Sequence, residues 1–234
     1  MFFAESIYAI ISPLNFGILI YTMNFDVICF DCDSTLSKIE GIDELARRVG
    51  LGDEMSELTN AAMNGLVPLE AVYEQRLSLI RPDQASIDWV ADLYITEIVD
   101  GVKEVFETLL AQGKEVHIIS GGLRQAILPL ATQLGLPEHH VHAVDVYFND
   151  DGNYQDYEQR SPLARTGGKA DIVAALKGQR SLVVIGDGKT DMEAKQAGAF
   201  VIGFGGVVDR AIVRELADIY ITDASLTAVL EHIS

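Results

Sequence analysis

The sequence predicts an α/β fold, in which a mostly parallel sheet carries an inserted helical cap and a small β-hairpin. Short apolar runs rich in β-formers alternate with stretches of helical spacing, the pattern of a parallel sheet. About 60 residues of helical pattern separate the first two predicted strands, although a crossover needs only one helix. We expect the surplus helices to cover the carboxyl end of the first strand. Residues 141–148 and 153–157 flank a turn of Asn, Asp and Gly, which predicts the hairpin.

The other predicted elements alternate along the chain. Helices are predicted at 40–50, 53–65, 68–80, 83–98, 101–112, 123–135, 167–177 and 226–233. Strands are predicted at 25–30, 115–119, 181–185, 199–204 and 218–221. The predicted division is an apolar extension over 1–24, a catalytic core over 25–37 and 100–234, and a helical cap over 38–99.

Composition restricts the kind of partner. Of the 234 residues, 49% are hydrophobic, enough for one sizeable core. The net charge of −18 argues against a nucleic-acid partner, because phosphate backbones are bound by Lys and Arg. Cys29 and Cys32 lack further ligands for zinc and lie too far apart on a strand for a disulfide, so we expect ordinary packing. The lack of a disulfide framework predicts a cytoplasmic location.

Residues 1–24 are apolar and nearly long enough to span a membrane. Glu5, Pro13 and Asn15 interrupt the segment, and no Lys or Arg precedes Lys38. We interpret it as a packed or loosely attached extension and expect no membrane contact. A membrane anchor and a true start at Met23 stay open as alternatives.

Two carboxylates, Asp31 and Asp33, directly follow the first predicted strand. Residues i and i+2 of a strand share a face, so both leave its carboxyl end together, where open α/β sheets place ligands. Two adjacent charges there are unfavourable unless a cation or a reaction uses them. The alternative is a turn that uses Asp and Ser only as caps.

Other strand and helix ends complete a site for phosphoryl transfer. Three carboxylates on one rim suggest Mg²⁺, and a hydroxyl beside glycine amides at a helix start suits a phosphate. An aspartate can attack phosphorus while cations and amides stabilise the charge. As the proton donor, Asp33 needs a raised pKa, which we expect from burial and from Asp31, whereas Mg²⁺ and Lys169 keep Asp31 ionised. The residues that join Asp31 and Asp33 in this predicted site are Ser120, Gly121, Gly122, Lys169 and Asp187.

These motifs resemble those of the haloacid dehalogenase (HAD) superfamily, and the cap resembles its phosphoserine phosphatase family. The matching core stretches are 30–35 (FDCDST), 120–122 (SGG), 168–169 (GK) and 186–191 (GDGKTD). The more specific stretches are 40–46, 67–80, 202–206 and 220–223. The resemblance spans about residues 25–230 and implies a HAD-like Rossmannoid core. It also implies Mg²⁺-dependent hydrolysis of O-phospho-L-serine through an aspartyl-phosphate, the last step of L-serine biosynthesis.

The resemblance also implies residue roles. Asp31 is the expected nucleophile and Asp33 the acid and base, with Mg²⁺ held by Asp31, the Asp33 carbonyl and Asp187, and with Asp191 orienting the loop. The phosphoryl group is expected to contact Ser120, Gly121, Gly122, Lys169 and Thr190. The substrate ammonium is expected at Glu40 and its carboxylate at Arg76, since a zwitterion needs one anion and one bidentate cation. Met63, Asn64 and Arg210 complete the expected site.

At three positions the chain departs from the residue that is usual in the family. It has Asn64 for glycine, Leu69 for phenylalanine and Leu123 for phenylalanine. These changes leave the chemistry untouched and bear on cap closure and on the tightness of substrate binding.

Two other functions stay open. One is a related phosphatase or phosphotransferase for another small phosphorylated metabolite, and the other is a non-catalytic binding protein. The oligomeric state is open too, a homodimer included. We expect His117 to be a core residue, no metal at His139, His140 and His142, and mainly packing roles for Trp89 and for the Tyr and Phe residues.

Overall fold

A computed structural model describes residues 23–233 of the chain. Its main sheet has six strands in the order β3-β2-β1-β6-β7-β8, and every neighbouring pair is parallel. These strands are β1 Val27–Phe30, β2 Glu115–Leu123, β3 Val141–Val144, β6 Leu182–Gly186, β7 Phe200–Phe204 and β8 Ile219–Ile221. The hairpin strands are β4 Val146–Phe148 and β5 Tyr154–Tyr157. The predicted α/β class is therefore confirmed.

The α-helices of the described residues are α1 Gly41–Arg48, α2 Gly52–Met63, α3 Leu69–Ile80, α4 Gln84–Thr96, α5 Val102–Ala111, α6 Arg124–Gln133, α7 Gly168–Lys177, α8 Lys189–Met192, α9 Ala211–Leu216 and α10 Leu230–Ile233. Helices α1 to α4 all lie between β1 and α5, as the helical surplus predicts. Asp83 begins α4 by accepting a hydrogen bond from the Ser86 N–H. Arg81 ends α3 with a left-handed φ of 45°.

Strand β1 is at the centre of the core. All four of its residues are fully buried, as a strand covered on both faces requires. The Phe30 ring lies 5.1 Å from the ring of Phe106 on α5. Cys29 and Cys32 are buried and free, in agreement with ordinary packing, and burial raises the pKa of both thiols.

The structure corrects the predicted strand over 141–148. Residues Val141–Val144 pair with β2 in the main sheet, and only Val146–Phe148 pairs with β5. Gln125 separates the two, because its side-chain amide donates to Asp145 at 3.0 Å and accepts from the Val146 N–H at 3.0 Å. The backbone leaves the sheet at this contact, and the interrupting residue in the sequence is Asp145, an acidic residue within a β-forming run.

Other boundaries differ near the strand ends. Strand β2 continues past residue 119 to Leu123, so the Ser-Gly-Gly turn is extended backbone before α6 rather than the helix start. Helices α8 and α9 are not predicted, because four and six residues are too short to show a helical period. The terminal helix begins with a 3₁₀ turn, Leu226–Val229.

A histidine cluster lies where β2 and β3 begin. His117 is buried, and its ring nitrogens contact Glu115 at 2.9 Å and His142 at 3.1 Å. His140 stacks on His117 with the ring centres 4.2 Å apart, and its Nδ1 lies 2.8 Å from the Val116 carbonyl oxygen. His117 is therefore the satisfied core residue that the apolar strand predicts.

Within residues 23–233, no helix is both long and apolar enough to cross a membrane. Residues 1–22 lie outside the described part of the chain, so the interpretation of residues 1–24 as an apolar extension stays a prediction there. Met23 is described, and its N–H donates to the His232 carbonyl at 3.1 Å.

Candidate active site

The carboxyl ends of β1, β2 and β6 are adjacent in the sheet, and they bring Asp31, Ser120 and Asp187 to one rim. Asp31 directly follows β1 and is 4% exposed. Its Oδ1 accepts from the Cys32 N–H at 2.8 Å and lies 2.9 Å from the Lys169 ammonium. Among the described residues no donor holds Oδ2.

Lys169 is a buried cation between two carboxylates. It lies 2.9 Å from Asp31 and 2.6 Å from Asp191, which is fully buried. Burial alone lowers the pKa of Lys169, but the charges of Asp191 and Asp31 outweigh it, so the pKa is raised and the ammonium stays charged. Asp191 also accepts from the Gly188 N–H at 3.0 Å, and it therefore links the lysine to the loop after β6.

The buried carboxylates fit a hard cation. Asp31, Asp187 and Asp191 place one oxygen each within 4.8 Å of one another. Burial and then the charge of Asp31 raise the pKa of Asp187 to about 7 and that of Asp191 to about 8. A divalent cation would relieve this crowding, and oxygen donors alone suit Mg²⁺. Both carboxylate oxygens of Asp191 already have protein partners, which favours Asp31 and Asp187 as ligands.

Asp33 lies two residues beyond Asp31 at the same rim. Its Oδ1 accepts from the Gly41 N–H and from the Tyr94 hydroxyl, both at 2.7 Å. Its Oδ2 accepts from the Ser120 hydroxyl at 3.2 Å. Burial and then the charge of Asp31 raise the pKa of Asp33, as the sequence predicts. Tyr94, predicted to be a packing residue, is instead a hydrogen-bond partner of this carboxyl group.

Ser120 lies in the glycine-containing end of β2. Its hydroxyl accepts from the Gly122 N–H at 2.9 Å and points towards Asp33. Gly121 and Gly122 line the cavity, and a Cβ at position 122 would lie 2.9 Å from the Asp33 Oδ2. The absence of a side chain therefore leaves room for a ligand against the backbone. Thr190, in the first turn of α8, is buried and lines the same cavity.

Glu40 and Arg76 approach the cavity from the α1–α4 side. The Ser34 hydroxyl donates to Glu40 at 2.7 Å, while burial and then the charge of Asp33 raise the pKa of Glu40 well above its usual range. Arg76 is 4% exposed and donates to the Thr59 hydroxyl at 3.1 Å. Within the described part of the chain, no carboxylate pairs with Arg76 and its Nε has no hydrogen-bond partner. A buried cation with a free donor is suited to an anionic group of a ligand.

Arg210 connects both sides of the cavity. Its Nε donates to Asp187 at 3.1 Å, its Nη1 donates to the Asn60 side chain at 3.0 Å, and its Nη2 lies 3.8 Å from Glu40. It thus reaches the site as the sequence predicts, although through the carboxylates rather than through the cavity lining.

Met63 lines the cavity, whereas Asn64 does not. The expectation that Asn64 lies on the cap side of the site therefore differs from the structure. Its amide instead donates to the Asn60 carbonyl at 2.8 Å, because the residue lies at the C-terminus of α2 and turns back onto that helix.

Some lining residues lacked a sequence signal. Besides Tyr94, they include Thr59 and Tyr73, whose hydroxyl donates to the Gly121 carbonyl at 3.0 Å. Both lie on amphipathic helices, where their spacing is that of ordinary packing residues. These residues line a cavity of about 60 Å³, whose charged groups come both from the strand ends and from the α1–α4 segment.

Comparisons with known proteins agree with this geometry. Residues 25–198 match the family described as haloacid dehalogenase-like hydrolase. The chain is 38% identical to the phosphoserine phosphatase of Bos taurus, with 88% of this chain and 94% of that protein covered. It is 38% identical to the phosphoserine phosphatase of Homo sapiens, with 85% and 89% covered. A solved substrate-bound phosphoserine phosphatase complex superposes with a TM-score of 0.77 at 27% identity, covering 91% of this chain and 100% of that one.

Proposed function

The chain belongs to the haloacid dehalogenase-like hydrolases and, within them, to the phosphoserine phosphatase family, and we propose that it hydrolyses O-phospho-L-serine to L-serine and phosphate. One observation carries the proposal. A single cavity is lined by the pair Asp31–Lys169, suited to a phosphoryl group, and by Glu40 and Arg76, suited to an ammonium and a carboxylate. The reaction would complete L-serine biosynthesis.

In the first step, Asp31 Oδ2 attacks phosphorus and the bond from phosphorus to the serine oxygen breaks. The Asp33 carboxyl group gives its proton to that oxygen, so neutral serine leaves and an aspartyl-phosphate forms on Asp31. The raised pKa of Asp33 supports this role, since an unshifted aspartate is almost fully ionised near pH 7. Lys169 and the Cys32 N–H hold Asp31 Oδ1 and keep the nucleophile oriented.

In the second step, the Asp33 carboxylate takes a proton from a water molecule as that water attacks phosphorus. The bond from phosphorus to Asp31 breaks, phosphate leaves, and both aspartates return to their starting states. We propose that the Ser120 hydroxyl, the backbone of Gly121 and Gly122, and Lys169 stabilise the charge on the phosphoryl oxygens, with Thr190 nearby. Gly121, Gly122, Lys169 and Thr190 line the cavity, whereas Ser120 is fully buried beside it and contacts Gly122 and Asp33.

Mg²⁺ is the proposed cofactor. Asp31, Asp187 and the Asp33 carbonyl would hold it, while Asp191 and Arg210 orient the ligands through Lys169 and Asp187. When bound, the ion neutralises charge on the phosphoryl group.

We further propose that residues 38–99 act as a cap on a core of 25–37 and 100–234. Two contacts support a closed arrangement, since the Leu69 N–H donates to the Thr166 hydroxyl at 3.0 Å and the Thr166 N–H donates to Glu70 at 2.9 Å. This reciprocal pair ties the start of α3 to the loop before Lys169. Closure would exclude water from the aspartyl-phosphate. A cytoplasmic location is part of the proposal.

The proposed function is tested by phosphate release from phosphoserine, phosphothreonine and sugar phosphates, with Mg²⁺ or with a chelator. We expect Mg²⁺-dependent release with a preference for phosphoserine, and no detectable turnover by Asp31→Asn, which keeps the shape of the site and lacks the nucleophile. Equal activity on many phosphates would assign another small phosphorylated metabolite as the substrate. Folded protein without activity on any of them would favour a binding protein.

A further inference from the structure

Tyr94 on α4 reaches Asp33 across 61 residues of sequence, and its hydroxyl donates to Oδ1 at 2.7 Å. The side chain is 1% exposed, so water does not compete for this hydrogen bond. A carboxylate oxygen has no proton to give in this contact and a phenol does, so Tyr94 is the donor and Asp33 Oδ1 the acceptor.

The two oxygens of Asp33 are therefore unequal. Oδ1 accepts two short hydrogen bonds, from Tyr94 and from the Gly41 N–H, which use both of its lone pairs. Oδ2 accepts one longer bond, from Ser120 at 3.2 Å, and it faces Gly122 at the phosphoryl side of the cavity. Oδ2 is thus the oxygen with capacity for a proton.

Gly41 makes room for this arrangement. A Cβ at position 41 would lie 2.1 Å from the Tyr94 hydroxyl oxygen. The glycine at the first position of α1 thus has two functions. Its N–H binds Asp33, and its missing side chain admits the phenol to the same oxygen.

We propose that Tyr94 is a positioning residue that, together with Gly41, occupies Asp33 Oδ1, so that the proton exchanged with the leaving group and with water is carried by Oδ2. The inference rests on the proposed function. It adds to that function the identity of the reacting oxygen and a residue outside the motifs that the sequence singled out.

The test compares leaving groups that differ in their need for a proton. Tyr94→Phe keeps the ring and removes the hydroxyl. With enzyme in excess over substrate, release of the leaving group reports only the transfer of the phosphoryl group to Asp31. The serine alkoxide needs a proton, whereas the acetate that leaves acetyl phosphate does not. We expect serine release from phosphoserine to slow by about tenfold and acetate release by less than about twofold, with KM for phosphoserine nearly unchanged.

Two further variants make the result decisive. Tyr147→Phe removes a hydroxyl from an exposed tyrosine of the hairpin and should match the wild type with both substrates. Gly41→Ala displaces the Tyr94 hydroxyl by contact and should reproduce the pattern of Tyr94→Phe even if that variant folds poorly. Equal slowing of both leaving groups, or no slowing of serine release, would overturn the inference. Failure of the proposed function would show earlier, as a wild-type enzyme without phosphoserine turnover.

Discussion

At the scale of single residues, Arg76 is a buried cation without a carboxylate partner in the described chain. A substrate carboxylate would supply that partner as a bidentate pair, which is worth about 2–3 kcal/mol. We therefore expect Arg76→Ala to lower kcat/KM for phosphoserine by about 100-fold, mainly through KM. For acetyl phosphate, which has no carboxylate, we expect less than about a threefold change.

Arg48→Ala is the matched control, because Arg48 is an exposed arginine on α1 that lies over the Trp89 ring at 5.0 Å. Arg48→Ala should leave kcat/KM unchanged for both phosphoserine and acetyl phosphate. If Arg76→Ala lowered kcat/KM equally for both substrates, Arg76 would be supporting the cavity rather than binding the carboxylate.

The site residues that can be predicted from the sequence are those beside a strand end. Asp31, Asp33, Ser120 and Asp187 each directly follow or end an apolar run, and parallel strands deliver such residues to one rim. Tyr94 has no such signal, because its ring follows the apolar spacing of α4 and its contact depends on how that helix packs. Asn64 shows the converse, since its position in a motif suggested a place in the cavity while the end of α2 turns it away.

At the scale of elements, the start of α7 places Lys169. A Cβ on Gly168 would lie 1.6 Å from the Pro162 carbonyl oxygen. This oxygen belongs to the backbone and cannot move away without shifting the chain. We expect Gly168→Ala to lower the free energy of unfolding by about 2–3 kcal/mol and to lower kcat at least about tenfold, because the helix start shifts the ammonium away from Asp31. Urea unfolding and steady-state kinetics measure the two effects.

The neighbouring Gly167 provides the comparison. Its φ is +80° and nothing lies within 4 Å of a Cβ placed there, so Gly167→Ala meets backbone strain without a clash. We expect a loss of about 1 kcal/mol of stability and little change in kcat. A larger loss of activity in Gly167→Ala than in Gly168→Ala would contradict this account.

Long elements were predictable, and elements separated by a side-chain contact were not. The helices α1 to α4 follow from their apolar spacing and their stop signals. The break between β3 and β4 involves the hydrogen bonds of Gln125, a helix residue some twenty positions earlier, and its local mark is a single acidic residue, Asp145.

At the scale of the whole molecule, the histidine cluster makes stability depend on pH. Burial, and next the charge of His117, lowers the pKa of His142 to about 4, and burial also lowers that of His117. In the unfolded chain His142 has the ordinary histidine pKa of 6.5, so it is protonated below that pH. In the folded chain the same residue stays neutral until about pH 4. This contribution to the unfolding free energy is fully present above pH 6.5 and declines as the pH falls towards 4.

The measurement is urea unfolding at about pH 7 and at about pH 5. His142→Gln removes one of the buried imidazoles, so its loss of stability between the two pH values should be smaller than that of the wild type. An equal loss would assign the acid sensitivity to groups elsewhere. The charged groups around the cluster are Glu115, Arg124, Arg180, His139 and His140.

The central position of β1 also affects how the chain acquires its structure during synthesis. Asp26, which directly precedes this strand, donates its N–H to the hydroxyl of Ser181, which is made 155 residues later. At a ribosomal rate of about 5–20 residues per second, roughly 8–30 seconds pass between the synthesis of β1 and that of β6, one of its two neighbours in the sheet. Contacts this distant in sequence also slow the search for the native topology. Asp31, the proposed nucleophile, is thus synthesised early and reaches its final position only when most of the chain has been made.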